Sequence, residues 1–313
     1  MSETNCPVVS VVMATYNRGN LLQYSIGSLL RGTYQNWELI VVGDCCTDDT
    51  EKVVASFNDS RIQFFNLEIN IGEQSGPNNY GVGLARGQYI AFLNHDDMWC
   101  DNHLQDNLDL LSQSDADLVF SQALLVPFNA AVTLTGAVTE KIQDYAPWMS
   151  VPATLWVFKK TLSTQLGTWH SCQDIRVVPS QDWLYRAYHE QVKMLSNPVV
   201  SAIIVNSASR LNAYSERQDQ EHREWFRVVT NPVAIRNALS SAFAGHVQRT
   251  IVTNPWVITK TAIQQFFRCT LVKLKIWPPH IKYWMKYWRR GSYLQYLRKR
   301  RGLSEAEHIR NQT

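Results

Sequence analysis

The sequence lacks an uninterrupted apolar run of about 18 residues, so nothing in it reads as a membrane-spanning helix. The opening stretch, MSETNCPVVS, has no basic segment leading into an apolar one, and the expectation is that it is not a secretory signal. Cysteine is sparse. Its six positions (Cys6, Cys45, Cys46, Cys100, Cys172, Cys269) fit neither a disulfide framework nor a C-x-x-C zinc pattern. Scattered thiols of this kind suggest a reducing, cytosolic setting. Internal repeats and low-complexity linkers are missing as well.

What is present is an uneven charge distribution. The net charge of the 313 residues is only +3, but from Arg268 onward there are 12 Lys and Arg against 2 Asp and Glu. The residues before Arg268 carry 18 basic and 25 acidic side chains. Such asymmetry points to a tail that meets an anionic surface.

Strand and helix signals alternate through the first half. PVVSVVMAT (7–15) is a β-branched run, followed by a helical pattern over 21–32 with Leu22, Ile26, Leu29 and Leu30 in phase and Gly32 as its stop. WELIVVGD (37–44), RIQFFNL (61–67), QYIAFLN (88–94) and ADLVFS (116–121) read as further strands, with helices at 47–57, 76–87 and 101–113 between them. The implied fold class is α/β, with a mostly parallel sheet covered on both faces. Ligands in such sheets sit beyond the carboxyl ends of the strands. The polar clusters Thr15–Arg18, Asp44 and Asn94–Asp97 all fall at those ends. Further on, PSQDWLYRAYHEQ (179–191) predicts a helix with Asp182 in its first turn, followed by a strand at 198–205.

In AFLNHDDMWC (91–100) two aspartates, Asp96 and Asp97, directly follow a strand that reads as buried. Carboxylates there suit the capping of the next helix, although Asp101 is better placed for it. They suit equally a hard divalent cation that takes one or two carboxylates plus phosphate oxygens. The pair alone does not separate these readings.

Taken in order, VSVVMATYNR, ELIVVGDCCTDDT, YIAFLNHDDMW and SQDWLYR resemble the inverting family 2 glycosyltransferases of GT-A fold, over roughly residues 7–190. The resemblance implies a nucleotide-sugar donor cupped by Thr15, Tyr16, Asn17 and Arg18, with Asp44 hydrogen-bonding the base. Asn94-His95-Asp96 matches the family's D-x-D signature, which makes Asp96 the ligand of Mn²⁺ or Mg²⁺ and leaves Asn94 in place of the first aspartate. His95 suits an approach to the diphosphate less well than a packed or solvent-facing place, and the resemblance has Asp97 position the donor sugar or the loop. Asn78 stands where many members carry an Arg near the nucleotide. Asp182 matches the base that deprotonates an acceptor hydroxyl, with Gln181 replacing the usual Glu. Gly43 and Cys45-Cys46 also depart from the family pattern; the adjacent cysteines read as packed thiols. Trp169, His170 and Trp183 suit either an acceptor platform or the core.

The resemblance implies a catalytic domain over 1–215, with 7–122 binding the donor and 123–215 the acceptor, and a helical extension over 216–313. Within it, KIWPPHIKYWMKYWRRGSYLQYLRKRR (275–301) places Ile281, Trp284, Met285 and Trp288 at helical spacing among basic residues. This pattern suits a helix lying in a membrane interface or one packed on the catalytic domain with a solvated charged face. Of the two, residues 268–301 are expected to meet an anionic membrane surface, with nucleic acid ranked below both. The enzyme is then expected at the inner face of the cell membrane, acting on a glycan or lipid-linked acceptor. Two rival readings remain. A sugar nucleotidyltransferase needs a Gly-rich loop after the first strand that MATYNRGN does not supply, and a non-catalytic nucleotide- or glycan-binding module would explain Asn94 and Gln181 as losses.

Overall fold

A computed structural model describes residues 6–136, 141–206, 210–251, 270 and 292–303. The heart of the fold is a parallel run of four strands, β3(Ile62–Asn66), β2(Trp37–Gly43), β1(Val9–Thr15) and β4(Tyr89–Phe92), in that spatial order. Their registers are tight: Val9 pairs with Trp37 and with Tyr89, and Thr15 with Gly43. All of β2 and all but one residue of β1 are buried, as expected of strands covered on both faces.

Helices α1(Gly19–Leu30), α2(Thr50–Ala55) and α3(Ser75–Leu84) make the crossovers, and α4(His103–Gln113) follows the short strand β5(Asp97–Trp99). Helix α3 reaches the sheet through a glycine: a Cβ on Gly81 would lie 2.5 Å from Val12 Cγ1. A buried carboxylate also anchors this part of the sheet. Glu38 accepts from Ser10 Oγ at 2.6 Å and from Arg86 N–H and Nε at 2.7 and 2.8 Å, which satisfies a charge in β2 that burial alone would oppose.

Beyond β4 the sheet continues as β9(Trp156–Lys159), β6(Leu118–Pro127), β10(Met194–Asn206) and β5. Strand β9 is antiparallel to both neighbours, and β10 runs parallel to β6. The short strands β7(Thr133–Thr135) and β8(Gln143–Asp144) pair with β6 and β10, and helices α5(Thr161–Leu166) and α6(Pro179–His189) lie in this half. Trp156 stacks on Trp183, and Trp169 lies 4.7 Å from Phe92 between ring centroids, so these tryptophans belong to the core.

Past residue 210, α7(Ala213–Glu216), α8(Gln220–Val229) and α9(Pro232–Ile251) follow. Val229 and Ala242 join Tyr24, Met98, Leu124 and Ile203 in a second apolar cluster, so α8 and α9 pack on the sheet. The last described helix is α10(Ser292–Arg301). Of the predicted interfacial helix, Ile281, Trp284, Met285 and Trp288 lie outside the described residues. Among the described residues, no helix is long and apolar enough to cross a membrane.

Candidate functional site

Strand order reverses beside β1: the chain moves outward through β2 and β3, then returns to place β4 on the other side. A crevice opens at such a switch point, beyond the strand ends. Here it is a cavity of about 670 Å³ whose lining includes Thr15, Tyr16, Asp44 and the turn Asn94–Asp97. Three loops well separated in the chain therefore meet in one place.

Asp44 leaves the end of β2 and is 3 % exposed. Its carboxylate accepts from Ile71 N–H and Gly72 N–H, both at 2.7 Å, and from Asn70 Nδ2 at 3.2 Å. A carboxylate has about four acceptor positions, so one remains for a ligand N–H. Burial pushes the Asp44 carboxyl up to about 6, and the two backbone donors oppose the rise only in part.

The turn after β4 holds two aspartates in opposite states. Asp96 faces the cavity; burial would raise it, but His95, His222, Arg18 and Arg301 together hold it below the usual carboxylate range. Asp97 is 2 % exposed and is raised well above that range by burial and by the neighbouring Asp96 charge. Its carboxylate accepts from Asn94 Nδ2 at 2.7 Å. His95 Nδ1 lies 3.1 Å from Ala14 O, so that nitrogen carries the proton, while Tyr214 OH approaches Nε2 at 3.4 Å. Burial lowers the His95 pKa, against the opposing charge of Asp96. None of these aspartates caps a helix: α4 starts after Asn102, and Asp101 pairs with Arg31.

The donor set around Asp96 fits one kind of cation site. Among the described residues no group of three His, Cys, Asp or Glu could hold a metal. An ionised carboxylate facing a cavity suits Mn²⁺ or Mg²⁺ that draws its other ligands from phosphate oxygens and water.

Other predicted residues take different places. Asn17, at φ 49°, turns its side chain to the loop after β2: Oδ1 accepts from Thr47 N–H at 2.8 Å and from Asp48 N–H at 3.3 Å. Arg18 is 1 % exposed and donates to Ala213 O at 2.6 Å, with its guanidinium 4.8 Å from the Tyr214 ring centroid. Asn78 is buried on α3 and does not line the cavity. Cys46 is a packed thiol that accepts from Asn17 N–H at 3.4 Å and that burial pushes up to about 11.

Asp182 sits in the first turn of α6, as the sequence predicts. His170 Nδ1 at 2.9 Å and Arg186 Nε at 3.3 Å both contact its Oδ2. Val178 and Pro179, a few residues ahead of it, line the cavity, whereas Asp182 itself does not.

Sequence reasoning placed no residue of the last helix in this cavity, yet Arg298, Arg300 and Arg301 line it. The only signal was the basic run at 298–301, which says nothing by itself about where the segment folds.

A GT-A fold with a nucleotide-sized cavity at the strand ends is thus the class that the architecture defines. Among solved structures, the chain is similar to S. aureus TarS 1-349 in complex with UDP-GlcNAc. The TM-score is 0.56 at 18% sequence identity, covering 63% of this chain and 58% of that one. Residues 10–129 match the model of Glycosyl transferase family 2. Over that segment the chain is similar to family 2 of the glycosyltransferases.

Curated relatives include the Escherichia coli UDP-Glc:alpha-D-GlcNAc-diphosphoundecaprenol beta-1,3-glucosyltransferase WfgD, 34% identical over 125 residues, with 40% of this chain and 49% of that protein covered. Another is the putative teichuronic acid biosynthesis glycosyltransferase TuaG of Bacillus subtilis, 32% identical over 117 residues, with 37% and 46% covered. The chain thus spans about half the length of these relatives or less.

Proposed function

We propose that the protein is an inverting glycosyltransferase that moves a sugar from a UDP-sugar to a hydroxyl of a lipid-linked glycan, in the synthesis of a surface polysaccharide. The observation that carries this reading is the convergence of Thr15, Tyr16, Asp44 and Asn94–Asp97 on one cavity at the switch point. The names of WfgD and TuaG support the polymer class, and the UDP-GlcNAc complex of TarS supports a uridine donor.

Asp44 accepts from the imide N–H of the base, and Thr15 and Tyr16 lie along the nucleotide. Asp96 would hold Mn²⁺ or Mg²⁺, which would supply Lewis-acid neutralisation of the diphosphate charge. His95 and Asp97 shape the turn from behind. Asp182 takes the proton of the acceptor hydroxyl as its oxygen bonds the anomeric carbon and the bond to the diphosphate breaks. One in-line displacement inverts that carbon and needs no enzyme nucleophile. General-base assistance of this kind contributes about 10²–10⁴-fold in rate.

The acceptor is displayed at the inner face of the membrane, and the basic side chains ahead of α10 hold the enzyme there, each adding about 1 kcal/mol near an anionic leaflet. Flotation with anionic vesicles, with and without residues 268–291, tests that part separately.

A thermal-shift screen of UDP-, dTDP- and GDP-sugars with Mn²⁺ tests the whole reading. A rise in melting temperature with a UDP-sugar, and transfer that is lost in Asp96→Ala, are expected. A flat response to every nucleotide sugar would overturn it.

A further inference from the structure

Helix α10 ends in a basic turn that the fold turns inward. Gly302, at φ 76°, stops the helix: its N–H donates to Lys299 O at 3.2 Å, and Leu303 N–H donates to Arg298 O at 3.0 Å, a Schellman arrangement. The position needs glycine, because a Cβ there would lie 2.9 Å from Ser215 Oγ in a backbone conformation that L side chains rarely adopt. Asn212 N–H then donates to Arg300 O at 2.9 Å and ties the turn to the start of α7.

This docking sets guanidinium groups around the cavity. Arg298 is 5 % exposed and donates to Gly72 O at 3.0 Å, beside the loop whose amides hold Asp44. Arg301 stands 5.1 Å from the Tyr214 ring centroid, on the same ring that Arg18 approaches, and its charge acts on Asp96. Arg300 lines the cavity too. Among the described residues, the buried Nε–H groups of Arg18 and Arg301 have no hydrogen-bond partner, and neither does the hydroxyl of Thr15, a cavity-lining side chain only 2 % exposed. Crowding like charges in a partly buried space is unfavourable unless an anion joins them, and guanidinium forks match phosphate oxygens bidentately.

We propose that the last turn of α10 is a diphosphate clamp, in which Arg298, Arg300 and Arg301 hold the phosphates of the donor while Thr15 donates from the floor of the cavity. Residues 292–303 then belong to the donor site, and these three arginines are turned away from any membrane. The clamp rests on the nucleotide-sugar reading and deepens it. It reaches from Arg298, against the loop that holds Asp44 for the base, to Arg301, whose charge acts on Asp96.

The experiment compares UDP with uridine, and GDP and dTDP with their nucleosides, on the full chain in Mn²⁺ buffer, by calorimetry for the diphosphates and NMR titration for the nucleosides. Arg301→Gln and Arg300→Gln are each expected to weaken UDP at least about tenfold and to leave uridine within about twofold. Arg301→Lys keeps the charge but loses the fork, and is expected to fall between. Thermal melting reports whether each variant folds. Added salt offers a second reading on the unaltered protein: UDP affinity falls with ionic strength while uridine affinity holds. UDP binding unchanged within about twofold in folded Arg301→Gln and Arg300→Gln, or no salt dependence, overturns the clamp alone. If no diphosphate binds the unaltered protein, the nucleotide reading falls and the clamp with it.

Discussion

The side-chain amide of Asn94 donates to the carboxylate of Asp97 across 2.7 Å, closing the turn that presents Asp96 to the cavity. The residue that departs from the D-x-D pattern is therefore matched to its neighbour. An aspartate at position 94 would set a second carboxylate against one that is already 2 % exposed and already raised by Asp96.

Asn94→Asp is accordingly expected to destabilise the fold by about 1–3 kcal/mol at neutral pH, because a buried amide donor is replaced by a second acidic group beside a carboxyl that already resists ionisation. Asp97→Asn in the same chain should recover most of that loss by restoring an amide–carboxylate pair. Chemical denaturation of the two single variants and the double variant measures the coupling. Simple additivity of the two single losses would rule out the pairing as the cause.

Asp182 offers a kinetic test. With saturating donor and acceptor, Asp182→Asn is expected to lower kcat by about 10²–10⁴-fold while leaving donor affinity nearly unchanged. Its partner His170 is half exposed and touches the same oxygen as Arg186. His170→Ala should therefore cost less than loss of the carboxylate. A Kd for UDP that shifts as much as kcat would place Asp182 in donor binding instead.

The pH dependence of donor binding follows from Asp44. Its carboxyl is pushed up to about 6, so the acceptor form dominates only above that pH. UDP affinity is expected to fall as the pH drops from about 7 to about 5, and Asp44→Asn should flatten the profile. For stability the sign is opposite. The unfolded carboxyl ionises near 3.8 and the folded one near 6, so the folded state binds more protons in that interval and loses stability as pH rises through it. Titration of UDP affinity between about pH 5 and 8 checks the first claim, and denaturant midpoints over about pH 4–6.5 check the second.

Much of this site was legible because local pattern and strand ends are written in the chain. The β-branched run of β1 ends at Thr15, that of β2 at Gly43 next to Asp44, and β4 at Phe92 just before Leu93 and Asn94. Parallel pairing then brings the loops together without further information. Where partners lie far apart in sequence, the pattern was silent. Arg18 spends its guanidinium on Ala213, 195 residues away, and Arg298 reaches Gly72 across 226. A basic, aromatic stripe looks the same whether it faces lipid or a cavity, so the last turn of α10 read as surface. Trp169, in the loop after α5, and Trp183, on α6, belong to the core; local pattern had left platform and core open because it does not show which face a neighbouring strand will cover.

Two buried histidines are expected to lower stability toward acid pH. His103 is 1 % exposed, stacks on Trp99 at 4.2 Å between ring centroids, and places Nδ1 2.8 Å from Ser201 Oγ. Burial lowers its pKa to about 3. His222, also 1 % exposed, has Nε2 3.2 Å from Asp96 O and is lowered to about 4, chiefly by burial. Both rings are neutral in the fold, while in the unfolded chain they take up a proton below about 6.5. The unfolded state therefore binds more protons between the two values, and stability declines as pH falls through that window. His103→Phe keeps the ring stacked on Trp99 but removes the group that must ionise. It is expected to lose a little stability at about pH 7, where the bond to Ser201 goes, and to narrow its deficit steadily from about pH 6.5 to about 4. Denaturant unfolding at half-unit steps of pH measures this. A deficit that stays constant over the range would mean that His103 does not titrate in the unfolded chain as argued, and that carboxylates alone govern the acid limb.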